Sequence, residues 1–156
     1  MNKKVIFTCG IPASGKSTWV RQESQRLSTS STIISRDIIR RKYNETLPEM
    51  EVSKLFDKEI MIAMSNPSIT YVFIDNTNLK QHYIVDIMNK CEQYNYRCDF
   101  FIKVFDTPYE ECIKRNSKRR GKEMVPEQVM QRMKNNFDIF KHNLKRFCWD
   151  KCIDII

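Results

Sequence analysis

Short apolar, β-branched runs alternate along the chain with longer stretches in which apolar positions recur every three or four residues. The first pattern suits strands buried on both faces, and the second suits helices that bury one side. Strands are predicted at Lys4–Cys9, Thr32–Ser35, Thr70–Asp75, Cys98–Phe105 and Cys152–Ile156. Helices are predicted between them. A first begins at Lys16 and carries Trp19, Val20 and Leu27, and a second begins at Asp37 with Ile38, Ile39 and Tyr43. A third is marked by Val52, Leu55, Phe56, Ile60, Ala63 and Met64 and stops at Asn66-Pro67, and a fourth by Ile84, Ile87, Met88, Cys91 and Tyr94. Asp106-Thr107-Pro108 followed by Glu110 and Glu111 reads as a helix start with its own capping residue. Val129, Met130, Met133, Phe137 and Phe140 give a last helix with an apolar stripe. Strand and helix in strict alternation predict an α/β fold: a parallel sheet of about five strands flanked by helices. With 156 residues, no repeats and no low-complexity linker, residues 1–156 read as a single domain with its own core.

The first strand runs straight into Gly10-Ile11-Pro12-Ala13-Ser14-Gly15-Lys16-Ser17, and a helical run follows at once. That order is what a P-loop needs: main-chain N–H groups around a polyphosphate, a lysine for the β and γ phosphates, and a hydroxyl for magnesium. The expected nucleotide contacts are Gly10, Ala13, Ser14, Gly15, Lys16, Ser17 and Thr18, with Ser17 on the metal. ATP and Mg²⁺ are the implied cofactors.

Two further clusters stand where strands should end, the edge at which open parallel sheets bind ligands. Ser35-Arg36-Asp37 closes the second strand, with Arg40 one turn further along the same side of the next helix. Asp37 is placed as the N-cap of that helix; a capping aspartate beside a solvated arginine would leave the same trace. Facing a P-loop, however, the pair supplies what phosphoryl transfer to a hydroxyl requires, a carboxylate to take the proton and a cation for the migrating charge. At the next strand, Asp75 is predicted in the magnesium shell, and Asn76, Thr77 and Asn78 as substrate hydrogen-bonding groups, although an Asx-rich turn has the same composition.

The net charge is +8, from 27 Lys and Arg against 19 Asp and Glu, so the surface favours anionic partners. The charge concentrates in Lys114-Arg115-Asn116-Ser117-Lys118-Arg119-Arg120-Gly121-Lys122, expected to be a basic lid between two helices with Arg115, Arg119 and Arg120 over the polyphosphate. The six cysteines, Cys9, Cys91, Cys98, Cys112, Cys148 and Cys152, lack Cys-x-x-Cys spacing and histidine neighbours, which argues for reduced thiols rather than zinc or a disulfide framework. His82 and His142 read as surface or helix residues. Lys3 and Lys4 before a short apolar run imitate a signal peptide, but Gly10 and Pro12 end it too early, and no stretch approaches membrane-spanning length. A cytoplasmic protein is expected.

Taken together, Gly10–Trp19, Ser35-Arg36-Asp37 with Arg40, Asp75–Leu79, Val104–Pro108 and Arg115–Arg119 up to Val125-Pro126 resemble the kinase domain of the bacteriophage polynucleotide 5′-hydroxyl kinases. The resemblance implies transfer of the ATP γ-phosphate to the 5′-hydroxyl of a single-stranded or end-exposed DNA or RNA. It implies Asp37 as general base, Arg40 as a ligand of the reacting phosphate, Lys16 and Ser17 on ATP and magnesium, and Arg119 as the lid arginine with Arg115 assisting. Three departures mark this chain. Ala13 stands where the family often has glycine, and is expected to keep a negative φ. Asn76 replaces an aspartate of some relatives. One additional lid residue leaves both Arg119 and Arg120 as candidates for the phosphates. The Asp-x-Asp-Gly-Thr motif of the 3′-phosphatase domain found in bifunctional relatives is absent, so a kinase alone is expected. The rival readings are a P-loop kinase of a small metabolite, free nucleoside, nucleotide or nucleotide sugar and, from another class, an ATP-switched binding module, which would leave Asp37 without a purpose.

Overall fold

The computed structural model describes residues 1–144, 146 and 153–156. Five strands, β1 (Lys3–Cys9), β2 (Ser31–Ile34), β3 (Tyr71–Ile74), β4 (Cys98–Val104) and β5 (Ile153–Ile155), form one parallel sheet in the order β2-β3-β1-β4-β5. Six helices accompany them: α1 (Lys16–Leu27), α2 (Arg36–Lys42), α3 (Glu49–Ser65), α4 (Gln81–Tyr94), α5 (Tyr109–Ser117) and α6 (Glu127–Asn143). The architecture is the P-loop kinase-like sheet predicted. The last expected strand is seen as β5; Cys152, its predicted first residue, lies outside the described residues with Cys148.

The two-residue period of the strands divides the core. Val5 and Phe7 of β1 join Val72 and Ile74 of β3 and Phe100 and Ile102 of β4 in a large cluster with the apolar stripes of α3, α4 and α6. The alternate positions Ile6 and Phe73 pack with Val20, Trp19 and Leu27 of α1 in a smaller one. The chain leaves β1 toward β2 and later returns past β1 to reach β4, so the strand order reverses beside β1. The carboxyl end of that central strand is therefore the expected ligand crevice, and Gly10–Gly15 occupies it. Among the described residues, no helix is long and apolar enough to cross a membrane.

Two predicted boundaries move. β2 stops at Ile34, which frees Ser35 to act as the N-cap of α2: its Oγ accepts from the Ile38 N–H at 3.3 Å. Asp37, expected to be that cap, instead lies in the first turn with its carboxylate free to point outward. At α5, Pro108 takes the N-cap position without a side-chain bond, and the Thr107 hydroxyl, expected near the cap, donates to the Ser14 carbonyl at 2.8 Å.

Candidate active site

The loop after β1 is shaped by close approach and by backbone conformation. A Cβ on Gly10 would meet Ser14 Oγ at 2.8 Å and the Phe105 carbonyl oxygen at 3.1 Å, so a side chain there would push the loop off β4. The Gly10 N–H donates to the Thr77 carbonyl at 3.1 Å, tying the loop to the end of β3. Gly15 has φ +96°, and Ala13 has φ +64°. The expectation of a negative φ at Ala13 is thus overturned. An L-residue held left-handed costs about 1–2 kcal/mol, which the surrounding bonds offset: the Ala13 carbonyl accepts from the Arg115 guanidinium at 3.3 Å and its neighbour Ser14 from Thr107. The alternation of left- and right-handed residues turns main-chain N–H groups into a concave anion nest at the start of α1.

Lys16, the first residue of α1, is 8 % exposed and folds back into the loop, where Nζ donates to the Ile11 carbonyl at 2.6 Å and to Ser14 Oγ at 3.4 Å. Burial lowers its pKa to about 8; Asp75 opposes the shift and Arg119 adds to it. Beside it, the Ser17 hydroxyl donates to Asp75 Oδ2 at 2.8 Å, and Thr8 Oγ1 donates to Asp75 Oδ1 at 3.2 Å. This hydroxyl–carboxylate pair is a hard-oxygen donor set suited to Mg²⁺. Among the described residues, no group of three or more His, Cys, Asp or Glu side chains is arranged to hold a metal. A magnesium ion here would be held by Ser17 and Asp75 together with phosphate and water oxygens.

The β2 side brings Asp37 and Arg40 together. Arg40 Nη1 donates to Asp37 Oδ1 at 2.6 Å, while its Nε and Nη2 donate to the two oxygens of Glu49 at 2.8 Å each. The Asp37 side chain is 77 % exposed, whereas that of Arg40 is 28 % exposed. The fork on Glu49 raises the Arg40 pKa and lowers that of Glu49, each chiefly through the shared hydrogen bonds. Glu49 escaped the sequence reading because periodicity started the third helix at Val52; the Pro48-Glu49 start signal was there to be read. Its role follows from geometry: it fixes Arg40 in the plane from which a second donor reaches Asp37.

The Asx-rich end of β3 lines the groove and also braces the loops around it. Asn76 Oδ1 accepts from the Arg36 N–H at 3.1 Å, bracing the start of α2. Asn78 is 5 % exposed, and its amide nitrogen donates to the carbonyls of Thr8 and Ile74 at 2.7 and 3.2 Å. That amide nitrogen joins β1 and β3, while the residue also lines the groove. Thr77 lines the groove with its backbone anchoring Gly10.

In the basic segment, Arg119 reaches the groove and Arg120, expected beside it, stays outside among the exposed residues. Arg115 lines the groove too, pinned between Glu111 Oε1 at 3.1 Å and the Ala13 carbonyl. A second residue missed from sequence controls this segment. Asn116, 6 % exposed, donates to the Val125 carbonyl at 2.7 Å and accepts from the Val125 N–H at 2.9 Å, closing residues 117–124 into a loop at its base. Gly121, at φ +58° with open space around its missing Cβ, turns that loop.

Most of these groups, though not Thr8, Gly10, Asn116, Arg120 or Gly121, face one groove of about 1420 Å³. It joins the phosphate nest, Ser17, Asp75, Asp37, Arg40, Arg115 and Arg119. The phosphate nest thus opens between the basic segment and the Asp37–Arg40 pair.

The sequence profile of the AAA domain family matches residues 5–140. Among solved structures, the fold is similar to a chain of the Pnkp1/Rnl/Hen1 RNA repair complex, with a TM-score of 0.74 and 24 % identity over 94 % of this chain and 47 % of that one. It is also similar to a chain of a Pnkp1/Rnl/Hen1 complex (TM-score 0.59, 27 % identity, 81 % of this chain, 42 % of that one) and to a fungal RNA kinase (TM-score 0.55, 16 % identity, 87 % and 64 %). This chain spans less than half the length of the first two.

Proposed function

The chain belongs to the AAA domain family, and from that premise we propose that it is an ATP-dependent kinase of the 5′-hydroxyl ends of single-stranded nucleic acid. The observation that carries the reading is the Asp37–Arg40–Glu49 array in the same groove as the P-loop. A nucleotide switch has no use for an exposed carboxylate braced by a guanidinium beside the phosphates, whereas transfer to a hydroxyl needs one. The similarity to an RNA repair complex and an RNA kinase supports a polynucleotide acceptor, and the +8 charge suits it.

ATP supplies the phosphoryl group, and magnesium balances the charge of its phosphates. The chain does the rest by position. Backbone N–H groups of residues 13–18 hold the polyphosphate, and Lys16, released from the Ile11 carbonyl, turns its ammonium to the β and γ oxygens. Ser17 and Asp75 would hold the magnesium ion. Asp37 accepts the proton of the attacking hydroxyl; Arg40 neutralises the equatorial oxygens as charge spreads onto them, and Arg119 and Arg115 do so from the lid side.

The test is transfer of label from γ-labelled ATP, with magnesium, to a 5′-hydroxyl oligonucleotide, run beside the 5′-phosphorylated oligonucleotide and a panel of nucleosides and sugars. Label on the 5′-hydroxyl strand alone supports the proposal. Label only on a small acceptor transfers the same machinery to a metabolite kinase, and label on none, with ATP bound, leaves the binding module.

A further inference from the structure

The groove extends beyond the reacting groups along α4. That helix buries Ile84, Ile87, Met88 and Cys91 against the core, yet Tyr83, in its first turn, turns into the groove and is 53 % exposed. Tyr83 and Ile87, four apart, share one side of the helix. An aromatic ring left uncovered inside a ligand groove is apolar area held in reserve for a ligand.

Its neighbours give that ring a character. The His82 ring lies 4.1 Å from it, centroid to centroid and inclined at 55°, and Lys80 Nζ stands 6.0 Å from its centroid. The ring is thus braced on a neighbouring ring and sits in positive potential, which Arg41, also on the groove wall, extends. The acid beside it, Asp86, pairs with Lys90 at 3.0 Å, a cation it shares with Asp57, also at 3.0 Å. Topology gives the direction. The nest and the lid follow β1 and β4, whereas Asp37 follows β2 and α4 follows β3, so Tyr83 lies with the general base, on the side opposite the lid.

We propose that Tyr83 is a stacking platform for one unpaired nucleobase of the acceptor strand, with Lys80 and Arg41 taking its backbone phosphates. This deepens the polynucleotide-kinase reading and rests on it for the identity of the acceptor. Stacking on a π-face is sequence-tolerant and salt-insensitive in itself, so the platform selects for a base in the groove and against a duplex end whose bases are already stacked.

The experiment measures transfer at saturating ATP to a 5′-hydroxyl hexanucleotide and to versions with one abasic residue moved along it, for the wild type, Tyr83→Phe and Tyr83→Ala. Binding of the fluorescein-labelled hexanucleotide without ATP is measured in parallel. Tyr83→Ala is expected to raise the hexanucleotide KM about tenfold or more, with the ATP KM and melting temperature unchanged and Tyr83→Phe close to the wild type. One abasic position should produce the same loss in the wild type and no further loss in Tyr83→Ala. An unchanged KM in Tyr83→Ala, or abasic losses that remain undiminished in it, overturns the platform. If the wild type transfers nothing but its hexanucleotide binding still falls in Tyr83→Ala, the kinase reading fails while the platform stands; if it neither transfers nor binds, both fall.

Discussion

The two halves of the groove are built from different materials. On the donor side, between β1 and β4, main chain does most of the positioning: Gly10 is wedged against Phe105, Ala13 and Gly15 turn left-handed, and Lys16 and Asn116 are buried with hydrogen-bond partners inside the protein. On the proposed acceptor side, between β2 and β3, the groups are exposed side chains, Asp37 and Tyr83 foremost, braced by the side chains of Arg40 and His82 rather than by the backbone. Phosphate is recognised by a fixed concave surface that a short contiguous segment can encode. Acceptor recognition depends on side chains drawn from separate helices, and their arrangement exists only after folding.

Breaking the donor half should cost far more than loosening the supports of the acceptor half. Lys16→Met removes the one ammonium buried in the nest, and turnover is expected to fall by about 10²–10³-fold, read in single-turnover label transfer. The titration of the same residue sharpens the contrast. With its pKa lowered to about 8 by burial in the loop, Lys16 is protonated below pH 8 with or without nucleotide. Above pH 8 it is neutral in the free protein and must take up a proton to meet the phosphates. ATP affinity should therefore hold below pH 8 and fall by up to about tenfold per unit above it, with proton uptake visible in calorimetry across buffers of different ionisation heat. The sign for folding is opposite. The unfolded chain, whose lysine keeps its ordinary pKa of 10.5, binds more protons between pH 8 and that value, so this residue makes the nucleotide-free protein more stable as pH rises through the window.

On the acceptor side, Glu49→Gln frees Arg40 from its fork and should lower kcat/KM for the oligonucleotide by about fivefold, the scale of a half-exposed ion pair, with the ATP KM unchanged. The smallest kinetic effect belongs to Asn116→Ala. Opening the base of the loop should raise the ATP KM about threefold, and the unpaired Val125 groups should cost about 1–3 kcal/mol in denaturant unfolding. If Glu49→Gln disturbed ATP as much as the acceptor, the two halves would not be separable in this way.

The same division explains what could be read from the chain. The strands, the P-loop and the Ser17–Asp75 pair were legible because each is written in one run of residues or in the end of a strong apolar strand. Ala13 defied expectation because its φ is set by loop closure against Phe105 and Arg115, residues far away in sequence. The cap of α2 shifted to Ser35 because β2 ended one residue early, a boundary that hydrophobic pattern does not fix. Glu49 was hidden by a helix whose first turn is mostly polar, and the bonds of Asn78 to carbonyls of two strands were not legible because they depend on strand register. Arg119 and Arg120 look alike in sequence, and only the fold places the first in the groove and leaves the second exposed.

The central claim is that Asp37 performs the proton transfer and takes no part in holding ATP. It is tested most directly by measuring ATP affinity and label transfer to a 5′-hydroxyl oligonucleotide on the same preparation of Asp37→Asn. The account predicts an ATP Kd within about twofold of the wild type and transfer reduced by about 10²–10⁴-fold. Transfer at the wild-type rate, or a loss of transfer that merely follows a loss of ATP binding, would contradict it.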